Sequence, residues 1–250
     1  MQAYGEFLTV KIENMSLGHS EEAPKKKEKP KKFSVVAVAK GEGMSALFRD
    51  MGADCIVTGG QSANPSIEEF VKAFESCNAE HIIVLPNNKN VILAAKQAAE
   101  VYTGAAVHVV GTKNLPQGYS ALSVITPGLT DVDAVIASAE NAAGGVTDGE
   151  ITRAVRDATV NGRVIHKGDY MAISEGEIVA TGETAEEALL SMLETADTDL
   201  CELLTLFVGK EVDEARRAAI TEQLQELYED CEITVYDGGQ DVYDYLVALE

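Results

Sequence analysis

Two short stretches of this 250-residue chain concentrate residues able to hold something: Gly59-Gly60-Gln61-Ser62-Ala63-Asn64-Pro65-Ser66 and Leu85-Pro86-Asn87-Asn88-Lys89-Asn90. Gly59 and Gly60 allow close backbone approach. Gln61, Ser62, Asn64, Asn87, Asn88 and Asn90 supply donors and acceptors of modest strength, and Lys89 adds one positive charge. Together they suit a ligand- or partner-binding surface. No nucleophile beside an activating base stands out, so catalysis, including hydrolysis, ranks behind binding. A purely local reading competes with this one: Asn64, Ser66, Asn88 and Asn90 are also the residue types that cap helices and shape turns. It accounts for each residue singly, but less well for two successive strand ends that are both so polar.

The elements that would position these residues follow from the apolar pattern. From Phe33 the runs FSVVAVA, CIVTGG, HIIVLP and AVHVVG alternate with the helical segments MSALFRDMG, SIEEFVKAFESC and NVILAAKQAAEVYTG. Continuous apolar strands separated by helices predict a parallel sheet covered on both faces. The carboxyl ends of such strands face a crevice, where helix N-termini present free N–H groups, and both polar stretches fall there. Ser66 and Glu69 form a capping box opening the second helix. A fifth strand is expected over Ala121 to Thr126.

After an Ala-rich helix from Asp131 to Val146 the texture changes. The short runs ITRAVRDATV, RVIH, DYMAIS and EIVATG are broken by Asn161-Gly162, Lys167-Gly168 and Glu175-Gly176, which suit tight hairpins and a partly antiparallel sheet. Thr184 and Glu187 make a second capping box. LCELLTLFVG, a charged helix from Asp213 to Glu229, and CEITVYDGG then read as a βαβ unit. The fold class expected is α/β with two lobes: a mostly parallel one over 33–128 and a mixed one over 129–250. One echo links them: Gly59-Gly60-Gln61 and Gly238-Gly239-Gln240 each close a strand–helix–strand unit. Duplication and the chance likeness of two βαβ units both fit.

Charge excludes one class of partner. The chain carries 20 Lys and Arg against 41 Asp and Glu, a net charge of -21, which argues against nucleic-acid binding through a basic face. The basic residues cluster in Ser20 to Lys32, with six Lys and two Pro. That composition predicts a linker over 20–32, read either as a solvated tether or as an electrostatic arm. Residues 3–15 alternate like a strand with nothing nearby to pair with, so residues 1–19 are expected to be the end of a preceding domain. Phe33 to Glu250 has 13 basic and 36 acidic residues, a net of -23. No apolar run approaches the ~18 residues of a membrane span, so no stable membrane insertion is expected and the location defaults to the cytoplasm.

The remaining reactive residue types give weaker signals. Cys55, Cys77, Cys201 and Cys231 have neither zinc-site spacing nor disulfide-scaffold density and read as small, mostly buried thiols. His81, His108 and His166 form no metal-ligand cluster. Arg153 and Arg156, three apart in a strand-like run, point to opposite faces and read as surface charge.

Four longer stretches carry a family resemblance. TGGQSANPSIEEF, ILPNNKNVILAAKQAAE, AVRDATVNGRVIHKGDYMAI and VYDGGQDVYDYLVALE resemble the C-terminal region of the bacterial fatty acid kinase A-subunit family, the dihydroxyacetone-kinase-like fusion proteins. The resemblance covers Phe33 to Glu250. It implies a larger protein in which an N-terminal domain binds ATP and magnesium and a middle domain dimerises. The C-terminal region would engage a DegV-like fatty-acid-binding protein whose acyl carboxylate becomes an acyl phosphate for phospholipid synthesis. It also implies no cofactor and no catalytic residue in this chain. A more remote resemblance is to the DegV-like fold itself, whose carboxylate-holding loops would fall at Gly60–Ser66 and Asn87–Asn90, with amides here in place of hydroxyls. The alternative function is a small carboxylate- or phosphate-binding module, its anionic ligand held by Asn64, Asn87, Asn88, Lys89 and helix N-termini.

Overall fold

β1 (Lys31–Ala39) shows how the chain sorts its apolar residues. Val36 and Val38 enter one core cluster, Val35, Ala37 and Ala39 another, and all five are at most 2% exposed. A two-residue period places neighbours on opposite faces, and a strand apolar on both faces must be covered on both. The computed structural model describes residues 29–59, 64–126, 128, 130–160, 163–196 and 201–250. The expectations for residues 1–28, and for a hairpin turn at Asn161-Gly162, lie outside them.

Four strands form a parallel sheet in the order β2 (Cys55–Thr58), β1, β3 (Ala79–Leu85), β4 (Ala106–Val109). β1 takes in Lys31 and Lys32, whose ammonium groups pair with Asp54 and Glu80. α2 (Ile67–Ser76) and α3 (Ile92–Val101) cover one face, where Phe70 and Phe74 pack on Val36, Val57, Ile82 and Val84. α2 opens with the expected box: Ser66 Oγ accepts from the Glu69 N–H, and the Glu69 carboxylate accepts from the Ser66 N–H.

The other face meets α1 (Glu42–Asp50), α4 (Leu115–Ser123) and α5 (Val132–Gly145). α4 replaces the expected fifth strand. The apolar run there suited either element locally. Asn114 caps the Gln117 N–H at 3.0 Å and Pro116 sits in the first turn, so the segment starts as a helix, and Val124 ends it.

A second, six-stranded sheet runs in the order β11 (Glu232–Asp237), β10 (Leu203–Val208), β12 (Tyr243–Leu249), β5 (Thr147–Arg153), β8 (Tyr170–Ser174), β9 (Glu177–Gly182). Only β10 and β11 are parallel; the other pairings are antiparallel, as the hairpin signals predicted. Glu175 and Gly176 both take positive φ at the β8–β9 turn, the conformation that a tight two-residue hairpin favours. β6 (Ala158–Val160) and β7 (Arg163–Ile165) form a separate ribbon. α6 (Ala185–Thr195) and α7 (Glu214–Leu227) cover the outer face. Thr184 caps α6, but the Glu187 carboxylate accepts from Glu183 rather than Thr184.

The layers therefore run α2/α3, parallel sheet, α1/α4/α5, mixed sheet, α6/α7. Phe207, Leu246 and Ala248 of the mixed sheet share one buried cluster with β1 and β3. At its centre Tyr119 of α4 stands edge-on to Phe207, with ring centroids 5.2 Å apart, and Tyr236 stacks on Phe207. Gly43 lets α1 meet the mixed sheet directly: a Cβ there would lie 1.8 Å from the Asp237 carbonyl oxygen, and the next residue, Met44, donates its N–H to Gly238 O at 2.9 Å. No helix among the described residues is long and apolar enough to cross a membrane.

Candidate functional site

The four parallel strands end at one edge. Lys40, Gly59, Asn87-Asn88 and Lys113 stand just beyond β1, β2, β3 and β4 and line a hollow with Glu150 and Tyr243 of the mixed sheet and with Gln240 of the loop between β11 and β12. The result is a crevice at the strand ends, the place a parallel sheet sets aside for ligands.

Asn87 is almost wholly committed to the protein. It adopts φ 51, in the left-handed region that Asn tolerates better than most residues. Its N–H donates to Thr112 Oγ1 at 3.0 Å, its Nδ2 donates to Val38 O at 3.0 Å, and its Oδ1 accepts from Thr112 Oγ1 at 2.8 Å. The side chain thus ties the ends of β1, β3 and β4 together. Asn88 Oδ1 accepts from the Asn90 N–H at 2.8 Å, and its carbonyl accepts from Val91, which shapes the turn into α3. Lys89 is exposed, donates its backbone N–H to Lys113 O, and extends its ammonium to within reach of Gly176. Asn64 is exposed beside the α2 cap. Gly60, Gln61 and Ser62 lie outside the described residues.

Two hollows make up the crevice. The inner one, about 50 Å³, is bounded by Asn87, Asn88, Gln240 and Leu246. The outer one, about 280 Å³, is bounded by Lys89, Asn114, Asp148 and Glu175. Lys113, Glu150 and Tyr243 line both. The inner hollow is far below the ~300 Å³ at which small-molecule pockets usually begin, and the outer one is walled by charges rather than apolar groups.

Sequence reasoning did not single out the acidic side of this crevice. Asp148 and Glu150 stand two apart on β5 and so project to one face. Asp148 is 2% exposed. Burial pushes its carboxyl above the usual range, against hydrogen bonding from Asn114 and Glu175. Burial raises Glu150 as well, partly countered by the Tyr243 hydroxyl, which donates to its Oε2 at 3.0 Å, and by Lys89; the Asp148 charge adds to the rise. The signal was the alternation in Thr147-Asp148-Gly149-Glu150, which by itself reads as a solvated strand face. The echoed glycine motif also reaches the crevice. Gln240 is 5% exposed and its Nε2 donates to Phe207 O at 2.9 Å. Its neighbour Asp241 pairs with Lys40 at 2.9 Å and Lys210 at 2.7 Å, and these two lysines hold its carboxyl down to about 2.

Other candidates stay apart from the crevice. His81 and His108 stack on each other in adjacent strands with ring nitrogens 3.0 Å apart. Cys201 and Cys231 are free thiols with Sγ atoms 3.0 Å apart, and burial pushes Cys231 up to about 12. Arg153 lies 4.7 Å over the Tyr170 ring. Among the described residues no group of three or more His, Cys, Asp or Glu is placed to hold a metal ion. A groove of about 610 Å³, lined by Phe33, Val35, Ala53 and Ile125, lies near the amino end of β1.

Residues 34–250 match the model of the FakA-like C-terminal family, the C-terminal regions of fatty acid kinase A-subunits and their relatives. The chain belongs to that family. Among curated relatives, protein YloV of Bacillus subtilis (strain 168) is 37% identical over 257 residues, covering 100% of this chain and 46% of the relative. The chain thus spans about half the length of the curated relatives it matches. Solved DegV-family structures share the fold of this FakA-like domain. A DegV family protein, Cg2579, from Corynebacterium glutamicum superposes with a TM-score of 0.66 at 14% identity, covering 87% of this chain and 96% of the other. A DegV family protein from Thermus thermophilus, described for its fatty acid binding, gives 0.61 at 16%, covering 88% and 99%. The α/β architecture of this FakA-like chain is therefore DegV-like, in agreement with the expected fold class.

Proposed function

We propose that this chain is the carrier-docking part of a fatty acid kinase. It engages a DegV-like fatty-acid-binding protein while the phosphoryl-transfer centre lies in another part of the longer family protein. The observation that carries the reading is the state of the β3 loop. The Asn87 amide is spent on Val38 and Thr112, and the hollow beside it, about 50 Å³, has no room for an acyl chain. A DegV-like fold whose strand-end crevice does not accommodate the acyl group is better suited to meeting a carrier than to being one. Family membership supplies the kinase context.

In this scheme an oxygen of the carrier-bound acyl carboxylate bonds to the γ-phosphorus of ATP as the bond to ADP breaks. Magnesium and ATP are held outside this chain, and dimerisation rests on the middle domain. The net charge of -21 favours a carrier with a basic docking face. Titration of this chain with an acyl-loaded DegV-like carrier in a calorimeter is expected to give saturable binding, with no ATP turnover by the pair. The reading is sunk if the chain does not bind a carrier that the full-length family protein does bind under the same conditions.

A further inference from the structure

We propose that the crevice between the strand-end loops and β5 binds a small hydrophilic anion that also carries hydrogen-bond donors, a hydroxylated or ammonium-bearing carboxylate or phosphate. The site is Asp148, Glu150, Gln240 and Tyr243 on one wall with Lys89 and Lys113 on the other. It stands independently of carrier docking.

Two buried acceptor atoms point to it: the Asp148 carboxyl draws hydrogen bonding from Asn114 and Glu175, yet its Oδ1 has no partner at bonding geometry, and neither has Gln240 Oε1. Among the described residues only three buried side-chain polar atoms lack a hydrogen bond: Asp148 Oδ1, Gln240 Oε1 and Thr205 Oγ1. Thr205 lines neither hollow, whereas Asp148 lines the outer one and Gln240 the inner one. A buried acceptor left unpaired is costly, so folded proteins keep few of them and each one calls for an explanation. Gln240 cannot relieve its orphan by turning its amide over. Its Nε2 donates to Phe207 O at 2.9 Å, and a flip would set oxygen against oxygen. Its Oε1 is therefore an acceptor of fixed position, set against Gly238, where a Cβ would lie 2.1 Å away.

The chemistry of the walls narrows the ligand. Asp148 Oδ1 and Gln240 Oε1 accept, and the carboxyl of Glu150 is already held by the Tyr243 hydroxyl, so the ligand must bring O–H or N–H groups to this wall. Across the crevice Lys89 and Lys113 offer two exposed ammonium groups, which suit a carboxylate or phosphate. The outer hollow, about 280 Å³, admits a molecule of glycerol-phosphate or amino-acid size, and its charged walls disfavour an acyl tail.

Thermal-shift and calorimetric titrations of the whole chain test this, with sn-glycerol 3-phosphate and L-serine as donor-bearing anions, and inorganic phosphate and palmitate as comparisons. We expect saturable stabilisation by at least one of the first two, little or none from phosphate, and none from palmitate. Asp148→Asn and Lys113→Ala should each weaken that binding by tenfold or more while the protein stays folded by circular dichroism. The proposal is overturned if neither donor-bearing probe binds, if inorganic phosphate binds equally well, or if both variants bind as the parent does. Carrier titration of the same variants should be unchanged, which separates failure of this site from failure of docking.

Discussion

A Cβ atom on Gly118 would sit 1.9 Å from Asn87 Oδ1. Helix α4 and the β3 loop approach each other only because residue 118 has no side chain. Asn87 cannot move aside cheaply, since the same oxygen accepts from Thr112 and the same amide donates to Val38.

Gly118→Ala should therefore destabilise the fold by about 1–3 kcal/mol in urea unfolding, the steric cost exceeding the better helix propensity of Ala. Gly144, exposed near the end of α5, is the internal comparison: a Cβ there meets nothing within 4 Å. Gly144→Ala should be neutral or stabilising by up to about 1 kcal/mol. Equal effects at the two sites would refute the argument for close contact.

Arg216 should matter more than an ordinary surface arginine. Its Nε donates to Glu186 at 2.8 Å and its Nη2 to Asp244 at 3.2 Å, while the fully buried Tyr245 donates its hydroxyl to the same Glu186 oxygen at 2.6 Å. Burial by itself would raise the Glu186 carboxyl, but Tyr245 and Arg216 outweigh it and hold the group below its ordinary value. Arg216→Ala strands two partly buried carboxylates, and a loss of about 1–3 kcal/mol is expected by denaturant titration. Because Glu186 is held low, the parent's advantage over the variant should be present at neutral pH. It should fade as acid protonates that carboxyl.

Asp148 carries the opposite sign. Its carboxyl is raised by burial, so between the ordinary carboxylate range and that raised value the folded state binds more protons than the unfolded one. Stability contributed by this group is present at low pH and lost as pH rises through the folded value. The groups around it pull both ways: burial and the Glu175 charge oppose ionisation, while hydrogen bonding from the Asn114 side chain and the Glu175 backbone favours it. Without ligand, Asp148→Asn should raise the melting temperature at pH 7 to 8, with the gap closing toward pH 4. A variant less stable than the parent at neutral pH would mark Asp148 as a satisfied structural carboxylate. The trade of stability for an open acceptor would then be wrong.

Much of the scaffold could be read from local pattern. The apolar runs of β1 to β4, the Ser66 box and the Glu175-Gly176 turn each depend on residues close in sequence. The expected strand at Ala121 to Thr126 failed because that run is apolar under either period. The choice fell to the Asn114 cap and the fit of Gly118 against Asn87, a contact across 31 positions. Both polar stretches were visible by composition, yet composition could not tell that Asn87 faces inward while Lys89 faces out.

The sequence by itself determined the parallel strand–helix order, the acidic character and the family, because apolar period, charge and motif spacing are properties of neighbours along the chain. Tertiary structure alone decided the chemistry of the crevice. Asp148 and Glu150 look like a solvated strand face until β12 pairs alongside and the β3 and β4 loops close over them. Gln240 is an ordinary loop amide until Phe207 fixes its orientation. Burial and pairing are set by segments far apart in the chain, so the residues that line the crevice meet only when the two sheets come together.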